Sequence, residues 1–332
     1  MMLIMNTQLA LSQASASPLK WERGVSGTSE KNVRRRIKGF KPMTEEKFVS
    51  AHLGRDRTRH SSFIHSSDSL SVSAIVRKGA DRDVCQDAAF VCIGPKITLL
   101  GVVDGFGPAG TAISQFVADG MVALAASGNK DPLKAIIEGI GSMEIPEPPL
   151  DHGGATAACV MLYPGGSFCM SSISDSAAFR FSDNGFRRLG HKYGIDNKGV
   201  SVKEKGLDDY FNRRHLVSKV IQYGRCNVDF IQYDGGLLYP GEGIILSTDG
   251  LTKNLSIRYD PATRKVLDNS HLDDMESLLR GTRNPQDATD ALLSAIKARL
   301  RMPRESGKYL EMGDSHALYP EGDDVAIVAA CI

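Results

Sequence analysis

The chain has no C-x-x-C pair, no long apolar run, no internal repeat, no low-complexity tract and a net charge of only +1 across 332 residues. Its six cysteines, Cys85, Cys92, Cys159, Cys169, Cys226 and Cys331, stand apart, mostly inside apolar stretches where a thiol packs as a small hydrophobe. A disulfide framework is therefore not expected, and a reducing, cytoplasmic setting is. No stretch approaches the roughly 20 apolar residues of a spanning helix, so no membrane span is expected. The apolar opening Met1-Met2-Leu3-Ile4-Met5 has no basic residue before it and is interrupted by Asn6, Thr7 and Gln8, which argues against a signal peptide.

The small net charge hides an asymmetry. Residues 1–70 carry 12 Lys and Arg against 6 Asp and Glu, whereas the remainder carries 28 against 33. A basic arm can favour an anionic partner, but this segment lacks sustained periodicity. It reads as a poorly ordered N-terminal extension over 1–70, with a short helix around Met43 to Leu53, and no specific nucleic-acid partner is expected.

From Ser71 the pattern changes. Ser71 to Arg77, Ala88 to Ile93 and Ile97 to Val103 read as strands, and Thr111 to Ala126 carries apolar residues at helical spacing. Asp131-Pro132 opens a second helix. Strands are expected again over Ala155 to Tyr163, Ser167 to Ser174 and Ala177 to Ser182. A helix is expected over Asp208 to Tyr223, then strands over Asn227 to Tyr233 and Gly243 to Thr248. Helices near Leu272 to Arg280 and Pro285 to Arg301 and a last strand, Val325 to Cys331, complete one domain, 71–332, in a chain of 42% hydrophobic content overall. Hairpin-like joins imply antiparallel sheets, and paired helices imply helical layers outside them.

Four aspartates end or adjoin these apolar strands: Asp104, Asp175, Asp249 and Asp323. Each alone is a common turn or N-cap residue. Carried together to strand ends, such carboxylates would repel one another without a cation, and their oxygens suit Mg²⁺ or Mn²⁺. Zinc is disfavoured, because no Cys and His set has a fitting spacing. His152 and His191 read as surface residues.

Gly105-Phe106-Gly107-Pro108-Ala109-Gly110 satisfies G-x-G-x-x-G between a strand and a helix. It is read as a decoy. The expected second strand with a terminal acid is missing, and Asp104 would set a negative charge beside a pyrophosphate.

Taken in order, the residues resemble the metal-dependent serine/threonine protein phosphatases of type 2C, the PPM family. Arg82-Asp83-Val84-Cys85-Gln86-Asp87 is similar to that family's R-x-x-N-[QE]-D, Asp104-Gly105-Phe106-Gly107-Pro108 to D-G-x-G-G, and Gly154-Ala155-Thr156-Ala157 to G-[ST]-T-A. Ser174-Asp175-Ser176-Ala177 is similar to G-D-S-R, Thr248-Asp249-Gly250-Leu251 to S-D-G-[LI], and Asp323-Asp324-Val325-Ala326 to D-[ND]-x-[TA]. The resemblance implies an α+β fold, an α-β-β-α sandwich of two antiparallel sheets flanked by helix pairs.

It also implies a probe-able site. Asp104 would bridge two Mn²⁺ or Mg²⁺ ions, the Gly105 carbonyl and Asp87 would serve one, Asp249 and Asp323 would hold the other, and Asp175 would belong to a third site. Arg82 would bind the phosphate of a phosphoprotein substrate, and the protein would act as a monomer. The chain departs from the family at Phe106, where some members have a histidine, at Pro108, at Gln86 in place of a glutamate, and at Ser174 and Ala177 in the G-D-S-R turn. Those departures motivate an alternative: a phosphatase-fold binding or regulatory protein of little or no activity.

Overall fold

The computed structural model describes residues 49–54, 60–79, 82–143, 152–183, 185–190, 220–255, 258–260, 265–267, 270–300, 309–312, 315–318 and 322–332. The first strands are β1 (Val49–Leu53), β2 (Ser61–Ser66), β3 (Ser71–Arg77), β4 (Ala88–Ile93) and β5 (Thr98–Phe106), followed by helices α1 (Gly107–Ala126) and α2 (Pro132–Gly141). Strands β6 (Gly154–Leu162), β7 (Ser167–Ile173), β8 (Ala177–Ser182), β9 (Gly185–Leu189), β10 (Gln232–Leu237) and β11 (Gly243–Ser247) come next, then the short helix α3 (Asp249–Asn254). After β12 (Arg258–Asp260) and β13 (Lys265–Leu267) come α4 (Ser270–Leu279), α5 (Pro285–Leu300), β14 (Tyr309–Met312), β15 (Ser315–Leu318) and β16 (Val325–Cys331).

Two six-stranded sheets dominate, ordered β1-β4-β5-β6-β7-β10 and β2-β3-β16-β11-β8-β9, with every neighbour antiparallel. Alternation along the strands divides the apolar side chains into layers. Leu100 and Val102 of β5, Val91 of β4, Leu246 of β11 and Val328 of β16 fill the space between the sheets. Leu99 and Val103 of β5 pack outward on Ile113, Val117 and Met121 of α1 and Ile137 of α2. Ile245 and Ile327 pack outward on Met275 of α4 and Leu292 and Ile296 of α5. The result is the α-β-β-α sandwich, held by three apolar layers.

Capping explains where the helices begin. Asp131 accepts the Lys134 N–H ahead of Pro132, and Asn284 accepts the Gln286 N–H ahead of Pro285, so each proline stands where its missing donor costs nothing. Buried Ser73 of β3 and Thr289 of α5 share a hydrogen bond of 2.8 Å that ties the helical layer to its sheet.

Several expectations are corrected. The folded body starts before residue 71, because β1 and β2 belong one to each sheet. Val49 to Leu53 is a strand rather than part of a helix: a segment this short gains little as a helix, while pairing with β4 satisfies its backbone. Residues 1–48 lie outside those described. The end of the helix expected over Asp208 to Tyr223 is instead an antiparallel bridge of Ile221 with Ala155, and 208–219 fall outside the described residues. Val228–Phe230 is a 3₁₀ turn, closed by Asn227 accepting the Asp229 N–H, and the strand starts only at Gln232. A small third sheet, β13-β12-β15-β14, has strands of three or four residues, too short to show a period in sequence.

Among the described residues α1 is the one helix long and apolar enough to cross a membrane, a quality carried by its Ala residues together with Ile113, Phe116, Val117, Met121, Val122 and Leu124. Its Ile113, Val117 and Met121 are fully buried against the first sheet.

Candidate metal centre

The strand periods that build the inter-sheet core also carry acidic side chains to one end of it. Asp104 shares the parity of Leu100 and Val102, Asp87 that of Ala89 and Val91, and Asp324 that of Ala326 and Val328, which all line the space between the sheets. Asp175 lies between β7 of the first sheet and β8 of the second, and Asp249 opens α3 directly after β11. Residues scattered over more than two hundred positions thereby meet at one mouth of the sandwich.

Three carboxylates form the tightest group. One oxygen from each of Asp104, Asp175 and Asp249 lies within 4.8 Å of the others. Asp249 is buried, Asp104 and Asp175 half-buried. Asp175 Oδ1 is closed off from solvent and lacks a hydrogen-bond partner.

A second group surrounds it. Asp87, only 3% exposed, accepts a 2.7 Å hydrogen bond from Thr248 Oγ1. Asp323 Oδ1 accepts from Arg82 Nε at 2.8 Å and Nη2 at 2.6 Å, while its Oδ2 lies 3.1 Å from Lys253 Nζ. Lys253 Nζ also lies 2.6 Å from Asp249 Oδ2. Asp324 accepts the Gly79 and Gln86 N–H groups, both at 2.8 Å, and so fixes the turn that presents Arg82.

Charge crowding shows in the carboxyl groups. Burial, then the neighbouring Asp324 and Asp323, pushes Asp87 well above the usual carboxylate range. Burial, then Asp249 and Asp87, does the same to Asp104. Asp175 is pushed up to about 7, by burial first and by Asp249 second. Asp323 goes the other way: burial pulls it upward, but Lys253 and Arg82 outweigh that and hold it below its ordinary value. Lys253 in turn is raised, since Asp249, Asp323 and Asp104 overcome its burial.

Glycine permits this convergence. A Cβ on Gly250 would overlap the Asp324 carbonyl oxygen, so no other residue lets α3 approach β16 so closely. Ser174, the only non-glycine residue with positive φ among those described (69°), keeps the left-handed turn before Asp175 without the glycine seen in the G-D-S-R pattern.

Each residue assigned from sequence to the metal or the phosphate has a place in the structure, whereas His191 lies outside the described residues. Asp87, Asp104, Asp175, Asp249 and Asp323 all gather here, and Arg82 joins them through Asp323. Gly105 is the last residue but one of β5 and lies beside them, packed against Gly110 and the Gln86 carbonyl. Gln86 turns its amide Nε2 to Gly107 O at 2.8 Å. Phe106 occupies the strand end, where no proton donor is available from its ring. The Gly-rich segment is no dinucleotide fold, because β5 pairs antiparallel on both sides.

Lys253 and Thr248 were not anticipated. The signal for Lys253 was its i+4 spacing from Asp249, meaningful only once residues 249–254 are known to be helical. Thr248 donates to an aspartate 161 positions earlier, for which sequence carries no local cue.

No family model matches the chain, and no curated protein sequence does. Solved structures do. The chain is similar to the PPM Ser-Thr phosphatase MsPP from Mycobacterium smegmatis in complex with cacodylate, at 20% identity over 80% of this chain and 100% of that one, TM-score 0.55. It is similar to the serine/threonine phosphatase of S. agalactiae at 16% identity over 79% and 99%, TM-score 0.57. It is also similar to RsbX in complex with magnesium at 12% identity over 82% and 99%, TM-score 0.51. The fold is that of the PPM-type Ser/Thr phosphatases.

Proposed function

We propose that this protein is a metal-dependent phosphatase that hydrolyses phosphoserine or phosphothreonine in proteins. The observation that carries the reading is the convergence of Asp104, Asp175 and Asp249 on a common point with Asp175 Oδ1 left unpartnered. An all-carboxylate donor set fits a hard divalent ion such as Mn²⁺ or Mg²⁺ and fits zinc poorly. Asp104, Asp175 and Asp249 would hold it, with Asp87 and the Gly105 carbonyl close by. Bound there, a divalent ion supplies an acidified water and neutralises charge on phosphoryl oxygens.

The chain's own groups do the rest. Arg82 stands at the rim with its side chain 49% exposed, and its contact with Asp323 aims the planar guanidinium so that its remaining edge can take phosphate oxygens. Asp324 holds the Arg82 turn from beneath through two backbone N–H groups. Thr248 orients Asp87. Water can then attack phosphorus directly, and no covalent phosphoenzyme is required.

A second reading has its own support. Lys253 already neutralises part of the acidic centre and Phe106 offers no proton to a leaving alkoxide, as a non-catalytic binding protein with this fold would allow. Hydrolysis of a phosphopeptide and a small aryl phosphate, with and without Mn²⁺ or Mg²⁺, separates the two. Turnover that requires the ion and disappears in Asp104→Asn supports the enzyme; a folded protein without turnover under any ion supports the binding role.

A further inference from the structure

Lys253 stands on α3 one turn beyond Asp249, its side chain 16% exposed, with Nζ 2.6 Å from Asp249 Oδ2 and 3.1 Å from Asp323 Oδ2. The other oxygen of Asp323 is taken twice over by Arg82. Asp249 and Asp323 are the pair that the family resemblance assigns to one of two ions. We propose that the Lys253 ammonium is a tethered cation occupying that position, so that the protein binds one divalent ion, on Asp104, Asp175 and Asp249, instead of a pair. The inference rests on the phosphatase reading above and specifies its metal content.

Three observations support it. A divalent ion on the same two oxygens would need to approach each to about 2.0–2.6 Å, within the volume the ammonium fills and against its charge. Neither Asp323 oxygen is then free, since Arg82 and Lys253 engage one each. On the other side of Asp104, Gln86 supplies a neutral amide where a carboxylate would strengthen a second ion, and its Nε2 is committed to Gly107 O. What remains to receive an ion is the trio of Asp104, Asp175 and Asp249, which contains the orphaned Asp175 Oδ1 and touches Lys253 through Asp249 Oδ2. Lysine is suited to the role, being a compact point charge on a flexible stem.

The test is to count ions and ask whether they are neighbours. Metal-free full-length protein is titrated with Mn²⁺, bound ion is measured by equilibrium dialysis, and the electron paramagnetic resonance spectrum is recorded. Wild type is expected to hold one Mn²⁺ with an uncoupled spectrum. Lys253→Met and Lys253→Gln are expected to hold two, with the exchange coupling of ions about 3.5–4 Å apart. Two variants of different polarity, each checked for folding by circular dichroism, keep the test open if one misfolds. Two coupled ions in wild type, or one ion in wild type and both variants, overturn the inference and leave the phosphatase reading standing. No bound Mn²⁺ in any of the three overturns both.

Discussion

Thr248 Oγ1 donates to Asp87 Oδ2 at 2.7 Å and accepts the Ala326 N–H at 3.0 Å, so one buried hydroxyl joins a carboxylate ahead of β4 in the first sheet to β16 in the second. Thr248 is fully buried, and neither partner has solvent to turn to. Thr248→Val keeps the shape and removes both bonds, leaving a buried carboxyl and a buried amide short of a partner. Unfolding in denaturant is expected to show a loss of about 1–3 kcal/mol, while Thr248→Ser stays close to wild type. Equal losses in the two variants would contradict the role given to the hydroxyl.

The crowded carboxyls set a pH dependence for the metal-free protein. Asp175 titrates at about 7 in the fold against an ordinary value of 3.8. The folded state thus keeps this proton longer than the unfolded chain does, and the stabilising contribution, complete below the ordinary value, is lost as pH rises through about 7. With EDTA present, Tm is expected to fall between pH 5.5 and 7.5, Asp175→Asn to flatten that fall, and saturating Mn²⁺ to reverse it. A Tm that climbs over this interval without metal would show that the acidic cluster is not under strain.

Arg82 has two duties that can be separated. Arg82→Ala removes the phosphate contact proposed for it, and kcat/KM on an aryl phosphate is expected to fall about 10–100-fold, the worth of a charge-assisted hydrogen bond. Mn²⁺ affinity is expected to hold steady, because the ion is assigned to Asp104, Asp175 and Asp249. Undiminished turnover in this variant would remove Arg82 from the substrate.

Gly250→Ala tests the close approach of α3 to β16. Its new methyl would overlap the Asp324 carbonyl, so the helix must shift and carry Asp249 and Lys253 with it. A stability loss of about 1–3 kcal/mol is expected, as for an overpacked core, together with weakened Mn²⁺ binding. A variant with wild-type melting and wild-type ion affinity would mean that the backbone there is free to adjust.

Ser174 offers a conformational check. At φ 69° a β-branched side chain is strongly disfavoured whereas glycine is at ease. Ser174→Val is expected to lower stability by about 1–3 kcal/mol, and Ser174→Gly to change it by less than about 1 kcal/mol. The reverse order, read from thermal melts, would be inconsistent with a left-handed turn before Asp175.

Much of this architecture is legible in the sequence. The apolar runs 71–77, 88–93 and 325–331 are strands with the bounds that composition and alternation suggest, because they are buried on both faces and little else competes for them. Asp131-Pro132 announced α2 because capping is chemistry within four residues. Val49–Leu53 and Gln232–Leu237 were harder: both are edge strands, defined by a neighbour across the sheet instead of by their own pattern.

The acidic side chains and their places at strand ends belong to the sequence alone, since alternation along a strand dictates which face each residue takes. Which carboxylates lean on one another was decided only when two sheets closed face to face. Burial and proximity made Asp175 hold its proton, put Lys253 between Asp249 and Asp323, and gave Arg82 to Asp323, because electrostatic energy depends on distances in space and no spacing along a chain encodes those.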